Sequence, residues 1–189
     1  LSIALHGVGQ ADQMAGQRVL ITGAGPIGQL FGLVARHYGA ERLAVSDLRP
    51  SALNLAAELW ADYTIRAEHP DEIEEVDKTC GDFDVVIEAS GAGAALQTAY
   101  QRCKAGGTVV QVGVQAGPVE LPVNLVMQKE LTVRGSFRFA HIFPKALDLL
   151  ANKKLNLQPL VTGTFAFADL VPGIEAALGP DSIKVVINY

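Results

Sequence analysis

Residues 18–28 read RVLITGAGPIG, and this stretch decides the fold. Its first five residues are apolar or β-branched apart from Arg18, which is typical of a buried strand. The next six, 23–28, follow the pattern G-x-G-x-x-G. Residues 26–38 then place apolar side chains at helical spacing. The stretch therefore predicts a strand, a glycine-rich turn and a helix in immediate succession.

Each glycine of this turn meets a different steric requirement. Gly23 permits the tight turn, Gly25 leaves room for a pyrophosphate, and Gly28 lets the helix pack against the strand. Unpaired N–H groups and the helix dipole favour an anion at this point. The turn therefore predicts a dinucleotide-binding site. The competing interpretation is a tight strand-to-helix turn without a ligand.

An acidic residue follows the glycine turn at a sequence spacing that bears on cofactor binding. Asp47 lies 19 residues after Gly28, at the end of a second apolar strand. A carboxylate in this place binds the adenosine ribose and repels the 2′-phosphate of NADP. Arg49 could accept that phosphate, or it could be a solvated loop charge. We therefore predict NAD as the preferred cofactor, with NADP also accepted.

The remaining sequence repeats the strand–helix alternation about six times. This pattern predicts an α/β fold, a doubly wound parallel six-stranded Rossmann sheet with helices on both faces, in the order 3-2-1-4-5-6. Two further strands end at Ser90–Gly91 and at 112–114. Ligands of such sheets bind at the carboxyl ends of the strands, so these segments are predicted to face the same crevice as the glycine turn.

The composition excludes several classes of protein. The 189 residues carry 15 Lys and Arg against 20 Asp and Glu, a net charge of −5 that argues against nucleic-acid and membrane partners. Cys80 and Cys103 are too few for a disulfide framework or a zinc box. The longest uncharged run, 19–35, contains four glycines and a proline and so does not predict a membrane span. We expect a cytoplasmic protein.

Several motifs together resemble one known family. With the glycine turn they are similar to the cofactor-binding half of zinc-dependent medium-chain dehydrogenases, in the sorbitol/L-idonate dehydrogenase branch and closest to the L-idonate 5-dehydrogenases. The motifs are LSIALH at 1–6, SDL at 46–48, DVVIEASG at 84–91, GGTVVQVG at 106–113 and GSFRF at 135–139.

The pattern and the resemblance together give a set of predicted site residues. Those expected to bind the cofactor are Gly23, Gly25, Pro26, Ile27, Gly28, Asp47, Arg49, Ser90, Gly91, Val112, Gly113, Val114, Ser136, Phe137 and Arg138. The resemblance also implies that Arg138 and Phe139 bind substrate. Phe139 stands where sorbitol dehydrogenases have Tyr, and Ala52 where members often have Arg. Arg138 could instead pair with a neighbouring acid.

The resemblance implies hydride transfer between NAD(P) and the secondary alcohol of a polyol or aldonate, such as L-idonate to 5-ketogluconate. In this family zinc polarises the alcohol. No ligand set is visible here, so we expect no metal site and no catalytic residue within this chain. We expect the zinc in a missing N-terminal catalytic domain, and no alcohol turnover by residues 1–189 alone.

The predicted organisation follows from that family. Residues 1–160 would form the NAD(P)-binding domain with a lead-in helix, and residues 161–189 a segment that returns toward the absent catalytic domain. Residues 130–136 would be an edge strand through which homodimers or tetramers pair.

Three alternatives to a zinc-dependent dehydrogenase stay open on the sequence. One is a zinc-free quinone or enone reductase of the same superfamily. Another is a non-catalytic dinucleotide-sensing module, although no basic helix is visible for nucleic acid. The last is a methyltransferase, which the spacing of the glycines and the motif at 135–139 fit poorly.

Overall fold

A parallel six-stranded sheet forms the centre of the computed structural model, which describes residues 1–69 and 71–189 in full and the backbone alone at residue 70. The strand order is β3-β2-β1-β4-β5-β6, and every pair is parallel. The strands are β1 (Arg18–Thr22), β2 (Arg42–Asp47), β3 (Tyr63–Arg66), β4 (Phe83–Glu88), β5 (Cys103–Gln111) and β6 (Thr132–Gly135). The predicted doubly wound fold and its strand order are confirmed.

Helices cover both faces of this sheet. They are α1 (Ser2–Val8), α2 (Pro26–His37), α3 (Pro50–Leu59), α4 (Pro70–Cys80), α5 (Gly93–Arg102), α6 (Val123–Gln128) and α7 (Phe143–Ala151). The alternation along β1 divides the core in two. Val19 and Ile21 pack with α2 and α3 on one face, and Leu20 packs with α4 and α5 on the other.

The last part of the chain builds a separate small sheet. Strand β7 (Val161–Ala166) pairs in parallel with β8 (Lys184–Asn188), and α8 (Leu170–Ala177) connects them. The outer face of α8 is apolar and exposed, with Val171 at 65% and Ile174 at 52% of their full accessibility. The return of this segment toward another domain stays a prediction.

Three local features complete the description of the sheet and its helices. The short helix α6 was not predicted, and none of its residues is fully buried. Cys103 directly follows α5 and is the buried first residue of β5, and burial raises the pKa of its thiol to about 12. Cys80 is the last residue of α4, and burial raises the pKa of its thiol too.

The edge of the main sheet is shorter than predicted. The strand expected at 130–136 is confined to β6, and Glu130 before it adopts a positive φ of 51°. In the part of the chain that the structure describes, no helix has the length and apolar character that crossing a membrane requires.

Candidate functional site

The glycine turn between β1 and α2 lies at the carboxyl end of the sheet and has no room for side chains at two positions. Gly23 has φ +97°, and a Cβ there would lie 2.9 Å from the backbone of Ser90. A Cβ on Gly28 would lie 1.8 Å from the carbonyl oxygen of Gly23. Gly25 differs, because only the Arg49 guanidinium comes within 4 Å of such an atom. The open side of the turn is therefore at Gly25.

Helix α2 presents its N-terminus at that open side. It starts at Pro26, which has no N–H to leave unpaired, and Ile27 and Gly28 follow in its first turn. Gly25 precedes the helix and makes no side-chain cap, so the first N–H groups have no partner within the helix. A pyrophosphate at Gly25 would accept from these groups and meet the positive end of the helix dipole.

Asp47 is tied directly to the turn. Its Oδ2 accepts a hydrogen bond of 2.6 Å from the N–H of Ala24, and its Oδ1 accepts one of 2.8 Å from the N–H of Arg49. The side chain is only 12% exposed. An ionised carboxylate offers about four acceptor positions, so lone pairs remain for the hydroxyls of a ribose.

Arg49 lies between the turn and the C-terminal segment. Its Nε is 3.4 Å from Asp47 Oδ1, and its Nη1 donates to the carbonyl of Ser182 at 3.2 Å. Neither sequence-based alternative describes it fully, because the guanidinium is partly buried and already has two acceptors. Its Nη2 still faces Gly25, where a phosphate could reach it.

A cavity of about 530 Å³ opens beside these residues. Five predicted residues line it, namely Gly23, Gly25, Asp47, Arg49 and Ser90. The sequence reasoning missed its far wall, which includes Leu48, Ile65, Arg66, His69, Thr98 and Gln101. Arg66 is the last residue of β3 and His69 lies shortly after it, so the rule that sheet ligands bind at the carboxyl ends of strands could have found them.

The second part of the crevice lies at the ends of β5 and β6. Gly113 is tightly enclosed, whereas the Val114 side chain is 77% exposed. Ser136 is buried, and a Cβ on Gly7 of α1 would lie 3.2 Å from its hydroxyl. The Ser136 side chain therefore packs against α1, and its backbone N–H donates to the carbonyl of Gln111 at 2.8 Å.

Residues Phe137 to Phe139 form an exposed segment after β6. Arg138 has a strained positive φ of 56°, and its guanidinium lies 5.2 Å from the centre of the Phe137 ring. Among the described residues, no carboxylate is within ion-pair distance of Arg138, so the predicted alternative of a neighbouring acid does not hold. Phe139 stacks on Phe143 at 6.2 Å.

Two polar residues beneath the crevice also went unpredicted. Glu88 at the end of β4 is fully buried, and its carboxylate accepts hydrogen bonds from Ser90, Gly91 and Gln111. An acid at the end of an apolar strand was the available signal. The bonds themselves depend on how β4 and β5 pair.

The described residues do not form a zinc site. Within residues 1–69 and 71–189, no group of three or more His, Cys, Asp or Glu side chains could hold a metal ion. Cys80 and Cys103 end α4 and begin β5, and neither has a His at ligand spacing.

Comparison with known proteins decides the family. The zinc-binding dehydrogenase family matches residues 26–152, which is most of the chain. The chain belongs to the zinc-binding dehydrogenase family. It is the cofactor domain of the medium-chain type, as the sequence motifs predicted, and this membership sets the methyltransferase interpretation aside.

Individual zinc-binding dehydrogenases agree with this assignment. Mouse sorbitol dehydrogenase is 37% identical over 192 residues, covering all of this chain and 54% of its own length. Escherichia coli L-idonate 5-dehydrogenase (NAD(P)(+)) is 34% identical over 177 residues, covering 94% of this chain and 51% of its own. The crystal structure of the Escherichia coli enzyme superposes with a TM-score of 0.92 at 33% identity, covering 100% and 54%. The chain thus spans about half the length of the curated relatives it matches.

Proposed function

We propose that this chain binds NAD(P) for a dehydrogenase that oxidises the secondary alcohol of a polyol or sugar acid. The observation that carries the proposal is Asp47, whose carboxylate is fixed to the glycine turn at 2.6 Å beside a cavity of about 530 Å³. Sorbitol and L-idonate are the substrates in the names of its relatives, and the second of these names also includes NAD(P)(+). Those names support the substrate class and the cofactor.

Different residues of the crevice bind different parts of the cofactor. The α2 N-terminus holds the pyrophosphate, and Asp47 binds the adenosine ribose. The ends of β5 and β6, with Val112 and Val114, receive the second nucleotide. The bound nicotinamide supplies the chemistry by accepting or giving a hydride.

Substrate recognition would fall to the exposed segment after β6. Arg138 offers a planar fork of donors to a carboxylate or to adjacent hydroxyls, and Phe139 would pack beside it. The zinc that polarises the alcohol would come from residues outside this chain. Strand β6 has a free edge in the main sheet, which supports pairing into a homodimer or tetramer.

Calorimetric titration of NAD and of NADP into the chain tests the proposal. We expect NAD to bind with a Kd about tenfold lower than NADP, because Asp47 repels the extra phosphate while Arg49 offsets part of that repulsion. A chain that is folded by circular dichroism and binds neither nucleotide would contradict the proposed function.

The variant Asp47→Ser should narrow the preference for NAD. The substitution removes the carboxylate that bonds ribose hydroxyls and repels phosphate, and it frees the Arg49 guanidinium from its nearest acid. We expect the ratio of NADP to NAD dissociation constants to fall about tenfold or more. Asp82→Asn is the control, since Asp82 is exposed beside the opposite end of β4. An unchanged ratio in Asp47→Ser would remove Asp47 from cofactor selection.

A further inference from the structure

A buried carboxylate without an ionic partner lies beneath the crevice. Glu88 is 0% exposed, and its Oε1 accepts bonds from Ser90 N at 2.8 Å, Ser90 Oγ at 2.6 Å and Gly91 N at 2.9 Å. Its Oε2 accepts one from Gln111 Nε2 at 2.7 Å. Within the described part of the chain, no cationic side chain is at ion-pair distance from it. Burying such a group is costly unless its hydrogen bonds compensate.

These bonds join two strand ends that are distant in sequence. Gln111 Nε2 also donates to the carbonyl of Gly113 at 2.7 Å. The backbone carbonyl of Glu88 accepts from Val112 N at 2.9 Å and from Gly113 N at 2.8 Å. Gly113 fits closely, because a Cβ on it would lie 2.4 Å from Glu88 Oε2. The position of Gly113 relative to Ser90 therefore depends on Glu88 and Gln111.

The topology of the sheet indicates which half of a bound dinucleotide lies near the bonds between Glu88, Gln111 and Gly113. A doubly wound sheet consists of two mononucleotide-binding halves that meet between β1 and β4. Asp47 belongs to the half made of β1, β2 and β3, and the cavity beside it is lined by the ends of these strands together with the segment from the end of β4 into α5. The end of β5 belongs to the other half, and it receives the second nucleotide.

We infer that Glu88 and Gln111 are positioning residues for the nicotinamide half of the site, an inference that rests on the proposed function. Glu88 holds the Ser90–Gly91 loop with one oxygen and the Gln111 amide with the other. Gln111 in turn donates a hydrogen bond to the carbonyl of Gly113 and so fixes the position of Gly113. Neither side chain has to touch the ligand.

The variant Glu88→Gln separates the bonds to the Ser90–Gly91 loop from the bond to Gln111. The amide oxygen of the new side chain can still accept from Ser90 and Gly91, while its NH2 group meets the NH2 group of Gln111. If Gln111 turned its amide over, its oxygen would oppose the carbonyl of Gly113. In either arrangement one side-chain bond is lost, from Gln111 either to residue 88 or to Gly113, while the backbone bonds of Val112 and Gly113 to the carbonyl of residue 88 remain.

The ligand pair for the test is NAD and ADP-ribose, which lacks the nicotinamide. Wild type should bind NAD more tightly than ADP-ribose. In Glu88→Gln we expect the Kd for NAD to rise about tenfold and the Kd for ADP-ribose to stay within about twofold. Gln111→Met, which keeps the acid and removes only its partner, should shift the two constants in the same way.

Asp84→Asn is the matched control, because Asp84 is a mostly buried acid at the other end of β4. It should lower stability and leave the ratio of the two dissociation constants unchanged. Equal losses for both ligands in folded Glu88→Gln and Gln111→Met, or no loss for either, would overturn the inference while the proposed function stands. Wild type that binds neither ligand would refute the proposed function and the inference with it.

Discussion

Gly28→Ala is expected to abolish dinucleotide binding and to lower the free energy of unfolding by about 2 kcal/mol or more. The reason is steric, since the new methyl group would overlap the carbonyl oxygen of Gly23 at 1.8 Å. To relieve the overlap, α2 must move away from β1 or the turn must change its conformation. Both movements displace the helix N-terminus from the open side of the turn at Gly25.

Urea unfolding and titration with NAD measure the two effects separately. Gly9→Ala is the matched control, because Gly9 has a helical φ of −63° and nothing lies within 4 Å of its would-be Cβ. It should bind NAD as wild type does and be no less stable. A folded Gly28→Ala protein that binds NAD within twofold of wild type would contradict the steric account of the turn.

Asp84→Asn should destabilise the fold by about 2 kcal/mol at neutral pH. The carboxylate lies 3.0 Å from Arg18 Nε and 2.5 Å from Lys104 Nζ, and it accepts from Arg18 N at 2.8 Å. Its side chain is only 11% exposed. Because both cations remain partly in water, the loss should be smaller than for a fully buried pair. Chemical denaturation at pH 7 gives this difference, and Asp82→Asn at an exposed neighbour should cost almost nothing.

The ion pairs of Asp84 with Arg18 and Lys104 also predict how the free energy of unfolding depends on pH. Burial alone would raise the pKa of Asp84, but hydrogen bonds from Arg18 and Lys104 outweigh burial and hold that pKa well below its usual value. An acid whose pKa is lower in the folded state stabilises the fold fully above its unfolded pKa, about 4, and progressively less below it. The gap in stability between wild type and Asp84→Asn should therefore narrow from pH 7 to pH 3. A gap that widened over this range would rule out the ionised pair.

Local sequence patterns predicted those parts of the site whose residues lie close together in the sequence. The strand, the glycine turn and the α2 start lie within 11 residues, and Asp47 follows at a fixed spacing. Steric rules for glycine and the geometry of one βαβ unit are sufficient for such features. Residues 18–47 therefore allowed the glycine turn and the acid beside it to be predicted, whereas the far wall of the cavity, built by later segments, was missed.

Features that depend on pairing between distant segments could not be predicted in this way. Glu88 and Gln111 meet only because β4 and β5 are adjacent in a particular register. Gln29 gives a second example, since it is fully buried in α2 and accepts from the indole N–H of Trp60 at 2.8 Å. Its amide also donates to the carbonyls of Ala24 and Ala52. Nothing in the helical pattern distinguishes Gln29 from an ordinary surface residue.

The strand order of the main sheet also bears on the kinetics of folding. Strands β1, β2 and β3 are joined by single helices, so their pairing closes short loops. At the junction of the two halves, β1 pairs with β4 and Val19 lies opposite Val85, 66 residues later. The chain loses the entropy of closing that long loop before the contacts there compensate for it. We therefore expect the junction to form late, so that the nucleotide crevice exists only once the two halves have docked.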